Sequence, residues 1–109
     1  METFELSELV ISQGSEVWNL SFSSAKLMIV SEYGSRLWFI DVEGLSDEAL
    51  LNKFAESDEI GVSVQTATIE GRKMDGRAFF HPNPQHHAAA IRGDGPLQGY
   101  EQPLNSGKR

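Results

Sequence analysis

Two-residue alternation of apolar side chains, one capped helical segment and a good supply of large hydrophobic residues predict a mostly β (α+β) domain. The expected architecture is about six strands, largely antiparallel, curled into a sheet or small barrel. One short helix near residues 47–56 would cover an opening or a face. At 109 residues the chain fits one domain, and a chain of this size buries roughly 65% of its unfolded surface without staples. Residues 1–100 are read as that domain and 101–109, with little to bury, as a loose tail.

The clearest strand is Val17–Ser23, where Trp18, Leu20 and Phe22 alternate with Asn19, Ser21 and Ser23. Lys26–Glu32 follows with the continuous apolar run Leu27-Met28-Ile29-Val30, the pattern of a strand covered on both faces. In Arg36–Val42, Leu37, Phe39 and Asp41 alternate with Trp38, Ile40 and Val42. Tyr33-Gly34-Ser35 joins the last two strands as a hairpin. In Phe4–Ile11 the apolar phase changes between Phe4/Leu6 and Leu9/Ile11, which predicts a bulge or bend.

The helix is expected over residues 47–56, with Ser46 as N-cap, Asp47 and Glu48 at the positive end of its dipole, and Leu45 and Leu50 as a hydrophobic staple. Alternation resumes over Ile60–Ile69, with Thr66 and Thr68 assigned to the wet face. A polar connection over residues 70–76 then leads to a return strand, Arg77–His81, ended by Pro82 and Pro84. Ala88–Arg92 is read as the last strand.

Charge is unevenly distributed. Residues 1–59 carry twelve acids and three bases, net −9; residues 60–109 carry four acids and six bases, net +2. Such a surface repels phosphate backbones and disfavours nucleic acid as a partner. The absence of cysteine excludes disulfide frameworks, thiolate zinc sites and cysteine nucleophiles. Acidic residues near the start replace the basic region of a secretory leader, and no run approaches a membrane span, so a cytoplasmic setting is expected.

The candidate site residues are few. His81, His86 and His87 place three imidazoles within seven residues, a ligand type suited to divalent metals. On extended chain the adjacent His86 and His87 face opposite ways, and two prolines stiffen the rest, so neither a metal nor a cofactor is expected. Asp94 is the nearby carboxylate; its Arg92-Gly93-Asp94 tripeptide reads as a turn. Arg72, Lys73 and Arg77 form the densest basic spot, at a hairpin tip. Asp41 is expected to meet water at its strand end. Gly61-Val62-Ser63-Val64-Gln65 lacks the closing glycine of a nucleophile elbow, and no catalytic residue is assigned.

These readings favour a non-catalytic interaction module that binds another protein; a basic protein, met in the manner of an inhibitor or immunity protein, is one version of that partner. Self-association through an exposed sheet edge at Val17–Ser23 or Ala88–Arg92 is a further outcome. The alternative is a small enzyme or ligand-binding barrel with a site near His81–His87.

Overall fold

The computed structural model describes residues 1–100, so the tail reading for 101–109 lies outside the described residues. Among these described residues seven strands run in the order β1 (Glu2–Gln13), β2 (Glu16–Asn19), β3 (Ser24–Glu32), β4 (Ser35–Glu43), β5 (Gly61–Thr68), β6 (Lys73–Asn83) and β7 (Ala88–Gln98). One helix, α1 (Glu48–Ala55), lies between β4 and β5. All pairings are antiparallel. Six strands close into a barrel in the order β1-β3-β4-β7-β6-β5, with β5 returning to β1 and β2 added alongside β1. No helix among the described residues is long and apolar enough to cross a membrane.

β1 closes the barrel because it is long and bends. Glu2–Glu5 pair with β3, Val10–Gln13 pair with β2, and Leu6–Ser12 pair with β5 on the other side. The register slips between Leu6 and Glu8, so Leu6, Leu9 and Ile11 all bury despite their phase change. Side chains satisfy the backbone around this bulge. Thr66 Oγ1 donates to the Glu8 carbonyl (2.7 Å), and Ser7 Oγ donates to the Thr68 carbonyl (3.2 Å). Thr66 and Thr68 are therefore buried, contrary to their expected wet-face placement. A hydroxyl with a backbone partner carries no desolvation penalty of the kind an unpaired one would.

The interior is filled from alternate residues of each strand. Leu27 and Ile29 of β3, Trp38, Ile40 and Val42 of β4, Val62 and Val64 of β5, Met74, Ala78 and Phe80 of β6, and Ile91 of β7 are all buried. β3 is wet on its outer side, where Met28 and Val30 are only half-buried, so it is not covered on both faces. The strand expected at Val17–Ser23 stops at Asn19, because the chain turns over the barrel mouth to reach β3. Leu20 still donates to the Leu9 carbonyl (2.9 Å), and Leu20 packs into the core. β6 begins at Lys73, inside the expected polar connection, since the turn after β5 needs only a few residues.

α1 plugs one mouth. Leu50, Leu51 and Phe54 bury, with Phe54 4.9 Å from the Phe80 ring and 5.6 Å from Trp18. Its N-cap is Asp47, not Ser46: Asp47 Oδ1 accepts from the Leu50 amide at 3.0 Å. The cap shifts because Leu45 is itself fully buried, its amide bonded to the His87 carbonyl (2.7 Å). That anchor delays the first helical turn by one residue, and the proposed staple spacing no longer applies. The opposite mouth is closed by Phe4 and Tyr100 edge to face, with the Arg36 guanidinium 4.9 Å and the Arg72 guanidinium 5.4 Å from the Tyr100 ring.

Trp38 fills the wall where β7 leaves β4. Its indole Nε1 donates to the Gly95 carbonyl (3.0 Å), and its ring lies on Gly93 and Gly76. A β-carbon on Gly93 would overlap the ring, and one on Gly76 would stand 2.9 Å from Cζ2. The expected Arg92–Pro96 turn is instead a bulge inside β7, where Asp94, Gly95 and Pro96 stand opposite Arg77 alone. The bulge brings the Gly95 carbonyl to the indole.

Two stability outcomes follow. Gly93→Ala should cost roughly 1–3 kcal/mol by overpacking against Trp38, whereas Gly61→Ala, whose added carbon meets only Arg77 at 3.6 Å, should stay near neutral. Urea unfolding with unchanged m-value reads the pair. Asp47→Ala should cost about 1 kcal/mol through loss of the cap, and Ser46→Ala should change little, read by thermal melts.

Candidate functional site

The barrel interior offers no chemistry. Among the described residues the only buried polar side chains are Thr66 and Thr68, both hydrogen-bonded. The other polar and charged side chains lie on the exterior, where three regions stand out.

The first is the segment from His81 to His87. β6 extends through Pro82, which pairs with Ala89, and a single 3-10 turn (Pro84–His86) leads to β7. His87 closes that turn in the left-handed region (φ 51°). The three imidazoles do not converge. His81 projects outward from β6, His86 Nδ1 lies 3.2 Å from Asn83 Oδ1, and His87 Nε2 lies 3.7 Å from Glu48 Oε2 on the helix. All three are exposed. Among the described residues no group of three or more His, Cys, Asp or Glu is placed to hold a metal ion. Asp94 sits in the β7 bulge, beside Arg77 rather than beside the histidines.

The basic spot also separates. Arg72 turns back over Phe4 and Tyr100 and donates from Nε to the Gly99 carbonyl (3.2 Å), which makes it part of the mouth closure. Lys73 and Arg77 stay on the outer face of β6, with Asp75 between them, and Arg77 reaches Ser63 Oγ at 3.4 Å. An open polar dish of about 440 Å³ runs from Ser12 and Ser63 past Arg77 to Asp94.

The second region is the pole closed by α1. Glu16 at the β1–β2 turn, Glu43 at the end of β4, Asp47 and Glu48 at the helix start, and Glu56, Asp58 and Glu59 after it are all exposed. Seven carboxylates share this pole with one lysine, Lys53, which lies 3.6 Å from Glu16 and over the Trp18 ring. An exposed pair of that kind contributes little attraction, so the pole stays strongly negative. This concentration is not revealed by the net charge of either half of the chain. It arises because the helix, both of its flanks and the β1–β2 turn meet at one mouth.

The third region is apolar. Cross-strand register sets Met28, Phe39, Arg92 and Phe79 side by side on the outer faces of β3, β4, β7 and β6. Val30 and Leu37 form the next pair towards the hairpin tip. Leu37 is 52% and Phe79 38% exposed. In the opposite direction lies the row Lys26, Asp41, Ala90 and His81, where a dish of about 400 Å³ opens over Ala90. Asp41 is exposed there, as expected of it. The sequence carried a signal for this face: both phases of β4 are apolar, so one of them had to point outward once Trp38, Ile40 and Val42 entered the core. Ala88–Arg92 is not a free edge, because β7 pairs with β4 and β6 on its two sides.

No family model, curated protein or solved structure matches this chain, so its exterior is interpreted from its own geometry.

Proposed function

We propose that this protein is a non-catalytic, cytoplasmic interaction module that binds a basic protein partner through the acidic pole around α1. The observation that carries this reading is the convergence of seven exposed carboxylates on one mouth of a rigid barrel. Fixed charges of one sign raise encounter rates with an oppositely charged surface and set orientation, an effect screened over about 8–10 Å at physiological salt. The pole is well suited to hold such a pattern. α1 is pinned by Leu50, Leu51 and Phe54, and Gln13 Nε2 donates to the Glu59 and Gly61 carbonyls (3.0 and 3.1 Å), which fixes the chain after the helix. An inhibitor or immunity protein for a basic enzyme would need this combination of rigidity and negative charge.

The test is affinity capture from the source lysate at low and moderate salt, followed by binding kinetics on the recovered partner. The expected result is a basic protein whose association rate falls as salt rises. It should fall by about tenfold in the variant Glu48→Gln, Glu56→Gln, Asp58→Asn, Glu59→Gln; Asp47 is spared because it caps the helix. Recovery of no stable partner at either salt, or an association rate indifferent to both salt and variant, contradicts the reading.

A further inference from the structure

We infer that the outer face centred on β4, with β3 and β7 beside it, pairs with the same face of a second copy of this chain, with Tyr33 of each copy seated in the Ala90 dish of the other. This surface lies on the barrel wall between the hairpin tip and Asp41, and the acidic pole assigned above to a different partner begins beyond it at Glu43.

The anchor is the tip of the β3–β4 hairpin. Glu32 pairs with Ser35, leaving a two-residue loop, Tyr33-Gly34, in which both residues have positive φ (51° and 78°). Such loops are ordinarily occupied by Asn, Asp or Gly, because a bulky side chain is disfavoured in the left-handed region. Here a tyrosine occupies it and is fully solvent-exposed. Among the described residues no contact accounts for an aromatic side chain at this strained position. Tyrosine is among the side chains enriched where a ring fills a partner's pocket at the centre of an interface.

The face is complementary to itself in spacing. Leu37 stands midway between Tyr33, four residues before it, and Asp41, four residues after it, which is roughly 10–13 Å to each side at strand rise. A two-fold axis lying in the interface and crossing the strands at Leu37 sets Leu37 and Val30 against their own copies. It carries the Tyr33 tip onto the row of Asp41 and Ala90 in the second molecule. That row holds the dish, lined by Phe39, Asp41, His81, Ala90, Ile91 and Arg92. The small side chain of Ala90 leaves room for a ring, and Asp41 and His81 stand at the rim as partners for its hydroxyl.

Charge is complementary as well. The axis keeps each strand over its own copy, so the same operation brings Glu32 of β3 onto Met28 of the β3 strand in the second molecule, two residues from its Lys26. Arg92 lies between two phenylalanines in its row, Phe39 and Phe79, and makes no ion pair among the described residues. A chain of net charge −7 repels its own copies over most of its surface. On this face Lys26 and Arg92 balance Glu32 and Asp41. The arrangement also sends the two acidic poles to opposite ends: Glu43 is six residues from Leu37, so the poles stand about 40 Å apart at strand rise, several screening lengths.

Sedimentation equilibrium of the full chain over a range of concentrations tests this, with circular dichroism confirming that each variant folds. The wild type should show a monomer–dimer equilibrium with Kd on the order of 10 μM, the range of a small interface. Tyr33→Asn should weaken association by about tenfold or more while raising the melting temperature of the monomer, because Asn suits the left-handed turn. Glu32→Arg and Lys26→Glu should each weaken the dimer, and the double variant should regain most of the loss. A wild type that stays monomeric to about 500 μM, some fifty times that Kd, overturns the proposal and leaves the face to a different protein. So does a dimer unaffected by Tyr33→Asn, or charge-reversal losses that simply add.

Discussion

Closure of the barrel between β1 and β5 is the constraint on which the rest of the structure depends. Without it the sheet would have two long edges and an interior open along one side. The pairing is possible because β1 serves three partners, and it serves three because the chain slips register at Ser7 and bends. Thr66 and Ser7 supply hydrogen bonds around that slip, so the bulge leaves no buried side-chain donor or acceptor without a partner among the described residues. Once the wall is continuous, aliphatic and aromatic residues fill the interior and charged side chains are left on the exterior.

Much of this was legible in the sequence because burial imposes a period on the chain. The phase change between Leu6 and Leu9 marked the bulge, and Leu50 and Phe54 marked the helix that plugs a mouth. The errors share a cause: local pattern reports which residues prefer water but not which have a partner elsewhere. Thr66 and Thr68 look wet until their hydroxyls meet carbonyl and amide groups of distant or turning backbone. Ser46 is as good a cap as Asp47 until the buried Leu45, tied to the His87 carbonyl, decides between them. Nothing local in Arg92–Pro96 announces that Gly93 must lie flat beneath Trp38.

The exterior was harder to foresee, because a surface is assembled from segments far apart in sequence. The acidic pole draws on residues 16, 43, 47, 48, 56, 58 and 59, and a count by chain halves blurs it into a general excess. The histidine segment is the converse case. Three imidazoles close in sequence separate in space, since one stays on β6, one turns towards Asn83, and one is held in the left-handed region facing the helix. Arg72 likewise leaves the basic spot to stack on Tyr100.

Charge and apolar surface are thus divided, with carboxylates gathered at the mouth that α1 covers and hydrophobic side chains spread along the wall from Phe79 to the hairpin tip. That division has meaning only if the wall is continuous. Nuclear Overhauser contacts across the β1–β5 seam measure this most directly. The account predicts contacts linking Leu9 to Thr66 and Ile11 to Val64, with the intervening amides exchanging only on global unfolding. Absence of those contacts, together with amides on one side of the seam exchanging as freely as an open edge, would contradict it.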